Sequence, residues 1–255
     1  MKLQYFSDLH LEMSANIRYL MNFPLEVHGD IAVIAGDLFP LSQLEGNRIF
    51  FHNYLRKFKK VFWLPGNHEY YHGKMSINQG DTICEQIEEN VFLVDNYSEI
   101  INNTKLIFTT LWSNISPKFE KSIENGMNDF RVIKLSKDEN LTVQDYNTLH
   151  TKAIEFLRNE TSNLKKTEKT IVISHHVPTF KNYPLEYLGS PLNSAFATEL
   201  SDFIESSNID YWIYGHNHRN IPDFKIGKTT LLTNQLGYVG RNENENFTWN
   251  KTLEI

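Results

Sequence analysis

Ile213-Tyr214-Gly215-His216-Asn217-His218 is a short apolar run that stops on a glycine and then delivers two imidazoles two residues apart. The same construction recurs upstream. Tyr5-Phe6-Ser7-Asp8-Leu9-His10, Ile34-Ala35-Gly36-Asp37, Leu64-Pro65-Gly66-Asn67-His68-Glu69 and Ile173-Ser174-His175-His176 each carry an apolar run into a metal-type ligand. In open α/β sheets, ligands gather beyond the carboxyl ends of the strands. Five such ends in one sheet system can converge on one point. In extended backbone an i, i+2 pair projects to one side. Asp8 with His10, and His216 with His218, are therefore expected to reach a common centre. Gly36, Gly66 and Gly215 precede their ligands, and glycine permits the tight turn and close backbone approach such a site needs.

The rest of the chain alternates apolar runs with helical patterns, the signature of an α/β protein. Strands are expected at 3–7, 31–35, 61–64, 91–94, 106–110, 170–174 and 211–214, runs rich in Val, Ile and aromatics. Ser42-Gln43-Leu44-Glu45 and Thr142-Val143-Gln144-Asp145 have capping-box spacing. They predict helices over 42–57 and over about 142–159, the second with Leu149, Ala153, Ile154 and Leu157 on one face. A third helix is expected over about 194–206. Gly227-Lys228 between 223–226 and 229–233 predicts a hairpin with a glycine-first two-residue turn. The asparagine-rich 242–250 reads as a surface loop. The least regular part, 112–141, is expected to be an excursion from a single domain spanning 1–255.

Composition narrows the class. The 255 residues are 40% hydrophobic and 22% charged, with a formal net charge of −6 and no long basic run. That balance argues against nucleic acid as a partner held by bulk charge. A chain of this length buries well over half of its unfolded surface and needs no structural metal to fold. Cys84 is the single cysteine, so no intramolecular disulfide forms. This favours a reducing compartment, and Cys84 is expected as a small buried hydrophobe. The N-terminus is interrupted by Asp8 and His10 before a signal-peptide core could develop. No apolar run approaches the ~20 residues that span a bilayer. A cytoplasmic enzyme without a membrane partner is expected.

The ligand types are carboxylate, amide oxygen and imidazole, with no thiolate. They suit Mn, Fe, Zn, Ni or Co better than a structural zinc site. Seven ligands exceed what one ion with open positions takes, and suit two divalent metal ions sharing a bridging carboxylate.

In order along the chain these motifs read D-x-H, GD, GNH[ED], H and GHxH. The set, running from Asp8 to His218, resembles the calcineurin-like metallophosphoesterase superfamily. The resemblance implies a four-layer sandwich of two mixed β-sheets flanked by helices, with metals above the central strands. It implies that one metal takes Asp8, His10, Asp37 and His218. The other takes Asp37, Asn67, His175 and His216, with Asp37 bridging and His175 chosen over His176. His68 matches the family's non-ligand histidine, which stabilises the transition state or protonates the leaving group. The implied reaction is hydrolysis of a small phosphoester, nucleotides among the candidates, by a hydroxide that two metals activate. A non-catalytic metal-binding scaffold of the same fold is the alternative. Two departures bear on the substrate. After Asp37 come Leu38-Phe39-Pro40-Leu41, so the GDxxDRG extension of the protein phosphatases is absent. The opening Ser7-Asp8-Leu9-His10-Leu11 is similar to hydrolases of UDP-diacylglucosamine, but those carry Arg where this chain has His68. Within the excursion, Asn128, Asp129 and Arg131 flank Phe130 and are expected to grip a phosphate and its organic group, Arg131 in bidentate fashion.

Overall fold

The computed structural model of the chain describes residues 1–73, 80–162, 164 and 169–255. Two six-stranded sheets form its centre. The first runs, in spatial order, through β12 (Thr252–Glu254), β1 (Lys2–Phe6), β2 (Ile31–Ala35), β3 (Lys60–Leu64), β5 (Val91–Asp95) and β4 (Ile83–Glu88). The second runs through β10 (Phe224–Ile226), β11 (Thr229–Thr233), β9 (Tyr211–Tyr214), β8 (Lys169–Ser174), β7 (Thr104–Thr109) and β6 (Tyr97–Ile101). In each sheet four parallel strands are bounded at both edges by an antiparallel one. The α-helices are α1 (Ser14–Asn22), α2 (Arg48–Asn53), α3 (Glu120–Gly126), α4 (Asp129–Val132), α5 (Val143–Thr161), α6 (Asn193–Phe196) and α7 (Ser201–Ser206).

The pleat sorts each strand between two cores. Leu3, Tyr5, Ile31, Val33, Phe62 and Leu64 meet Leu106, Phe108, Ile171, Ile173, Ile213 and Leu232 between the sheets. Their neighbours Phe6, Ala32, Ile34, Val61 and Trp63 face outward, onto Leu20 of α1 and Phe50 and Phe51 of α2. Beyond the second sheet, Ile107, Val172, Trp212 and Leu231 pack on Ala153 and Leu157 of α5 and Ile204 of α7. Burial on both faces is why these strands read as unbroken apolar runs. The result is the four-layer sandwich of two mixed sheets. Parallel register carries the carboxyl ends of β1, β2 and β3 to one edge of the first sheet, and those of β8 and β9 to one edge of the second.

Several expectations change. The helix expected over 42–57 is broken into 3-10 turns at Leu41–Gln43, Glu45–Asn47 and Leu55–Lys57 around the short α2. Its capping box does not form; the Ser42 hydroxyl lies 3.5 Å from the Tyr71 carbonyl instead. Gly46 weakens helix here, and the Asn47 side-chain amide donates to the Gln43 carbonyl at 3.0 Å, a local bond that competes with regular helix. The helix expected over 194–206 is split into α6 and α7, because Ala197 pairs with Val177 and Glu199 accepts from the Ser201 amide. The Thr142 box forms as expected and opens α5. The hairpin turn also forms, with Gly227 at φ +56°. Helix α1 and the edge strands β4, β6 and β12 were not expected. Cys84 is exposed rather than buried, since it lies on β4, an edge strand with an outward face. Among the described residues no helix is long and apolar enough to cross a membrane.

The 112–141 segment is more regular than its sequence led us to expect. It contains α3 and α4 and has an apolar core of its own. Trp112, Ile123, Met127, Phe130 and Ile133 pack with Tyr70 and with Tyr146 and Leu149 of α5.

Candidate metal centre

The carboxyl ends of β1, β2, β3, β8 and β9 meet where the two sheets face each other. The side-chain ligand atoms of Asp8, His10, Asp37 and His218 lie within 4.8 Å of one another, as do those of Asp37, His175 and His216. Asp37 belongs to both groups. Its Oδ2 is 3.6 Å from His10 Nε2 and its Oδ1 is 3.4 Å from His175 Nε2, so the carboxylate lies between them.

The local cause differs from the expected alternation. Asp8, His10, Asp37, His216 and His218 all have left-handed backbone, with φ of +57°, +44°, +55°, +76° and +53°. Asp8 and His10 fall in one group, but His216 and His218 fall in different ones, because the chain turns at each of these residues rather than presenting both from one side of an extended strand. Neighbouring loops hold these turns: the His10 amide donates to the Asp37 carbonyl at 2.9 Å and the Leu11 amide to the Leu38 carbonyl at 2.8 Å. The glycines act as expected. A Cβ on Gly36 would collide with the His175 ring, one on Gly66 with Asp37 Oδ1, and one on Gly215 would lie 2.6 Å from Asp8 Oδ2.

Hydrogen bonds fix which ring nitrogen faces inward. His10 Nδ1 donates to Glu12 at 3.0 Å and His218 Nδ1 to Glu243 at 2.6 Å. Their Nε2 atoms then face each other at 2.9 Å. His175 Nδ1 donates to the Ala35 carbonyl at 2.9 Å, leaving its Nε2 3.1 Å from His216 Nδ1 and 3.2 Å from Asn67 Oδ1. The Asn67 amide nitrogen is committed to Asp129 at 2.9 Å, so its oxygen faces the ring. Two imidazole nitrogens at such separations share either a proton or a metal ion between them. The two groups thus have the donor set and tautomers of cation sites.

The electrostatics agree. Burial opposes the charge on Asp8, but His218 and His175 hold it below the usual carboxylate range. Asp37 is held well below that range despite burial, by His175, His68 and His10. Burial disfavours charged His175 and His218, yet Asp37 carries the first up to about 10, and Asp8 and Glu243 carry the second up to about 9. Burial pushes His10 down and His216 well down from the usual imidazole range, aided by neighbouring imidazoles. Each facing pair therefore joins one neutral ring to one driven toward the cation. His176 stands apart, bonded to the Thr110 carbonyl at 3.1 Å and the Tyr146 hydroxyl at 2.7 Å.

His68 lies beside these groups rather than within either. Its amide donates to Asp37 Oδ1 at 3.0 Å, its Nδ1 meets Glu12 at 2.8 Å, and its Nε2 lies 3.3 Å from the Tyr238 hydroxyl. It lines a cavity of about 370 Å³ together with Asp37, Asn67, His216 and His218. Aromatic side chains Tyr71, Tyr183, Tyr187, Phe196 and Tyr238 also line it, as do Asn128, Asp129 and Arg241.

Of the excursion's three expected substrate residues, Asn128 and Asp129 reach this cavity and Arg131 does not. Asp129 is occupied with Asn67 and with the Tyr71 hydroxyl, 2.6 Å away, so it orients Asn67. Arg131 is exposed and donates to the Asn125 carbonyl. Residues two apart on a helix point about 200° apart, so α4 cannot turn both Asp129 and Arg131 inward. Sequence reasoning missed Arg241. Among the described residues its guanidinium has no hydrogen-bond or ion-pair partner, and it lies 5.0 Å from the centre of the Tyr238 ring. Also missed were Glu12, Glu243 and Glu69. Glu69 accepts from the amides of Asp37, Leu38 and Gly66 at 3.0, 2.8 and 2.6 Å, which ties β2 to β3 beneath the site. Glu69 was visible as the last letter of Gly66-Asn67-His68-Glu69. Glu243 lay in the asparagine-rich stretch read as a surface loop.

Comparison with known proteins points the same way. A family model described as calcineurin-like phosphoesterase matches residues 1–220. The uncharacterised protein L509 of Acanthamoeba polyphaga mimivirus is 31% identical, over 96% of this chain and 94% of its own length. Among solved structures, the phosphopantetheinyl hydrolase PptH of Mycobacterium tuberculosis superposes with a TM-score of 0.71 at 15% identity, covering 97% of this chain and 94% of that one.

Proposed function

We propose a mechanism from this premise: the chain belongs to the calcineurin-like phosphoesterase family and is a hydrolase acting on phosphoester bonds. In this reading Asp8, His10, Asp37 and His218 hold one divalent ion, and Asp37, Asn67, His175 and His216 hold the other. The observation that carries it is the pair of facing nitrogens on either side of Asp37, at 2.9 and 3.1 Å, whose outer nitrogens are already committed or buried. When bound, such ions lower the pKa of coordinated water toward neutrality and draw charge from phosphoryl oxygens. The ligand types admit Mn, Fe, Zn, Ni or Co.

The chain's own groups do the remaining work. His68 presents Nε2 to the cavity and gives a proton to the leaving oxygen. Arg241 supplies an uncommitted guanidinium for anionic oxygens of the substrate. Asp129 keeps the Asn67 oxygen turned inward. A cavity of about 370 Å³ with aromatic walls suits a small organic phosphoester, a nucleotide included. A degenerate scaffold would have no need of His68, which favours catalysis over metal-dependent binding alone.

The test is hydrolysis of p-nitrophenyl phosphate and bis-p-nitrophenyl phosphate by protein stripped with chelator and then resupplied with each metal. We expect activity lost on chelation and restored by a divalent ion. His68→Ala is expected to keep its metal while losing roughly 10²–10⁴-fold in turnover on phosphate esters of simple alcohols, and much less on p-nitrophenyl phosphate, whose leaving group departs without a proton. Hydrolysis indifferent to chelation, or none with any metal and either ester, contradicts the reading.

A further inference from the structure

We propose that Glu12 is the residue that positions His68 for proton transfer, and that it does so with the same carboxylate oxygen that orients His10. The inference rests on the reading of His68 as proton donor given above. Glu12 Oε1 lies 2.8 Å from His68 Nδ1 and 3.0 Å from His10 Nδ1. An ionised carboxylate only accepts, so both Nδ1 atoms carry hydrogen; His10 keeps a bare Nε2 for a cation, and His68, as the donor, is the imidazolium with hydrogen on both nitrogens. His10 then turns Nε2 toward Asp37 and His218. His68 turns Nε2 toward the cavity, where the Tyr238 hydroxyl is 3.3 Å away.

The backbone explains how a residue two past His10 reaches His68. The left-handed turn at His10 and the Met13 amide bond to the His10 carbonyl at 2.9 Å fold the chain back at this point. The rings of His10 and His68 are 4.5 Å apart and steeply inclined, at 73°, so one oxygen meets both edges. The free face of His68 stacks on Tyr71, at 4.1 Å and 24°. The ring is thus held by its edge and by its face. The segment after Asp37 offers no competing acid: Leu38 and Phe39 are fully buried in the core.

In the step this supports, a water oxygen bonds to phosphorus and the phosphorus–oxygen bond to the leaving group breaks. The departing electron pair stays on the leaving oxygen, which takes the proton from Nε2 of the His68 imidazolium. The attacking water gives up a proton that restores the imidazolium. Glu12 keeps its place on Nδ1 throughout, so the ring does not flip as it passes between its charged and neutral forms.

A series of phosphate esters whose leaving groups run from p-nitrophenol to simple alcohols tests this at saturating metal. Poor leaving groups need the proton most. For Glu12→Gln we expect kcat to fall by roughly 10–100-fold, the usual cost of an outer-shell partner, on alkyl esters. The loss on p-nitrophenyl phosphate should be much smaller, with KM held. Glu12→Asp keeps the charge one methylene short. It should recover part of the alkyl-ester rate and serves as the second variant if the amide folds poorly. His68→Ala added to Glu12→Gln should cost far less than in the parent protein. If His68→Ala leaves the leaving-group dependence unchanged, the donor reading fails and this inference with it. If His68→Ala alters that dependence while both Glu12 variants lose rate equally on all esters, Glu12 alone is refuted.

Discussion

Left-handed backbone at five non-glycine residues sets the chemistry of the site. Each such residue costs about 1–2 kcal/mol, and the cost is offset by amide bonds between loops and by contacts among the ligands themselves. The glycines beside them are constrained by space. Gly66→Ala would push a methyl into Asp37 Oδ1 and toward His175 Nε2, 2.6 Å away. We therefore expect a folded protein by circular dichroism that holds markedly less metal by elemental analysis; a variant with full metal content would refute the close-approach argument. The free guanidinium leads to a second expectation. Arg241→Ala should lower kcat/KM by about tenfold, the scale of one charge-assisted hydrogen bond to the substrate, without changing metal content. Arg131→Ala should stay within about twofold. The reverse ranking would show that the excursion, not the 237–243 loop, grips the substrate. At this scale the sequence exposed the Asp, Asn and His side chains that cluster at the site, because each stands after an apolar run. It hid Glu12, whose partner His68 lies 56 residues further along the chain. It hid Arg241 as well, which sits in a loop that no periodicity describes.

Elements were legible in proportion to how completely they are buried. The central strands β1, β2, β3, β7, β8 and β9 announce themselves because both faces are covered. The edge strands β4, β6 and β12 have one exposed side and mixed residues, so no period marks them. Helix α1 was missed because it buries only Asn16 and Leu20 while Ile17 and Met21 face solvent. The 112–141 segment did carry a helical signal, Ile123, Met127 and Phe130 at i, i+4 and i+7, masked by Gly126 and the charged residues between. The two capping boxes show how the same spacing can succeed or fail. Thr142 accepts from the Asp145 amide and opens a long helix; Ser42 caps nothing. Thr142→Ala is expected to cost about 1 kcal/mol and Ser42→Ala less than about 0.5 kcal/mol, read from urea unfolding. Equal losses would contradict the assignment of a working cap to Thr142 alone.

The whole molecule places the site on no single sheet. Asp8, Asp37 and Asn67 come from one sheet, and His175 and His216 from the other. The centre is assembled only where the two carboxyl edges meet. Cross-sheet bonds hold that junction: His175 Nδ1 to the Ala35 carbonyl at 2.9 Å, and the His216 amide to Asp8 Oδ1 at 3.1 Å. The order of motifs and the resemblance they carry foretold this convergence, whereas hydropathy alone could not have said that two sheets share it. The cavity above draws walls from both sides of the junction as well, so the pocket lies directly over the clustered Asp and His side chains. In the proposed site Asp37 bridges two divalent ions at this junction, which anomalous scattering from crystals soaked in manganese measures directly. We expect two peaks about 3.5 Å apart, one against Asp8, His10 and His218 and the other against Asn67, His175 and His216, with Asp37 between them. A single peak, or peaks remote from Asp37 in a crystal of active enzyme, would contradict it.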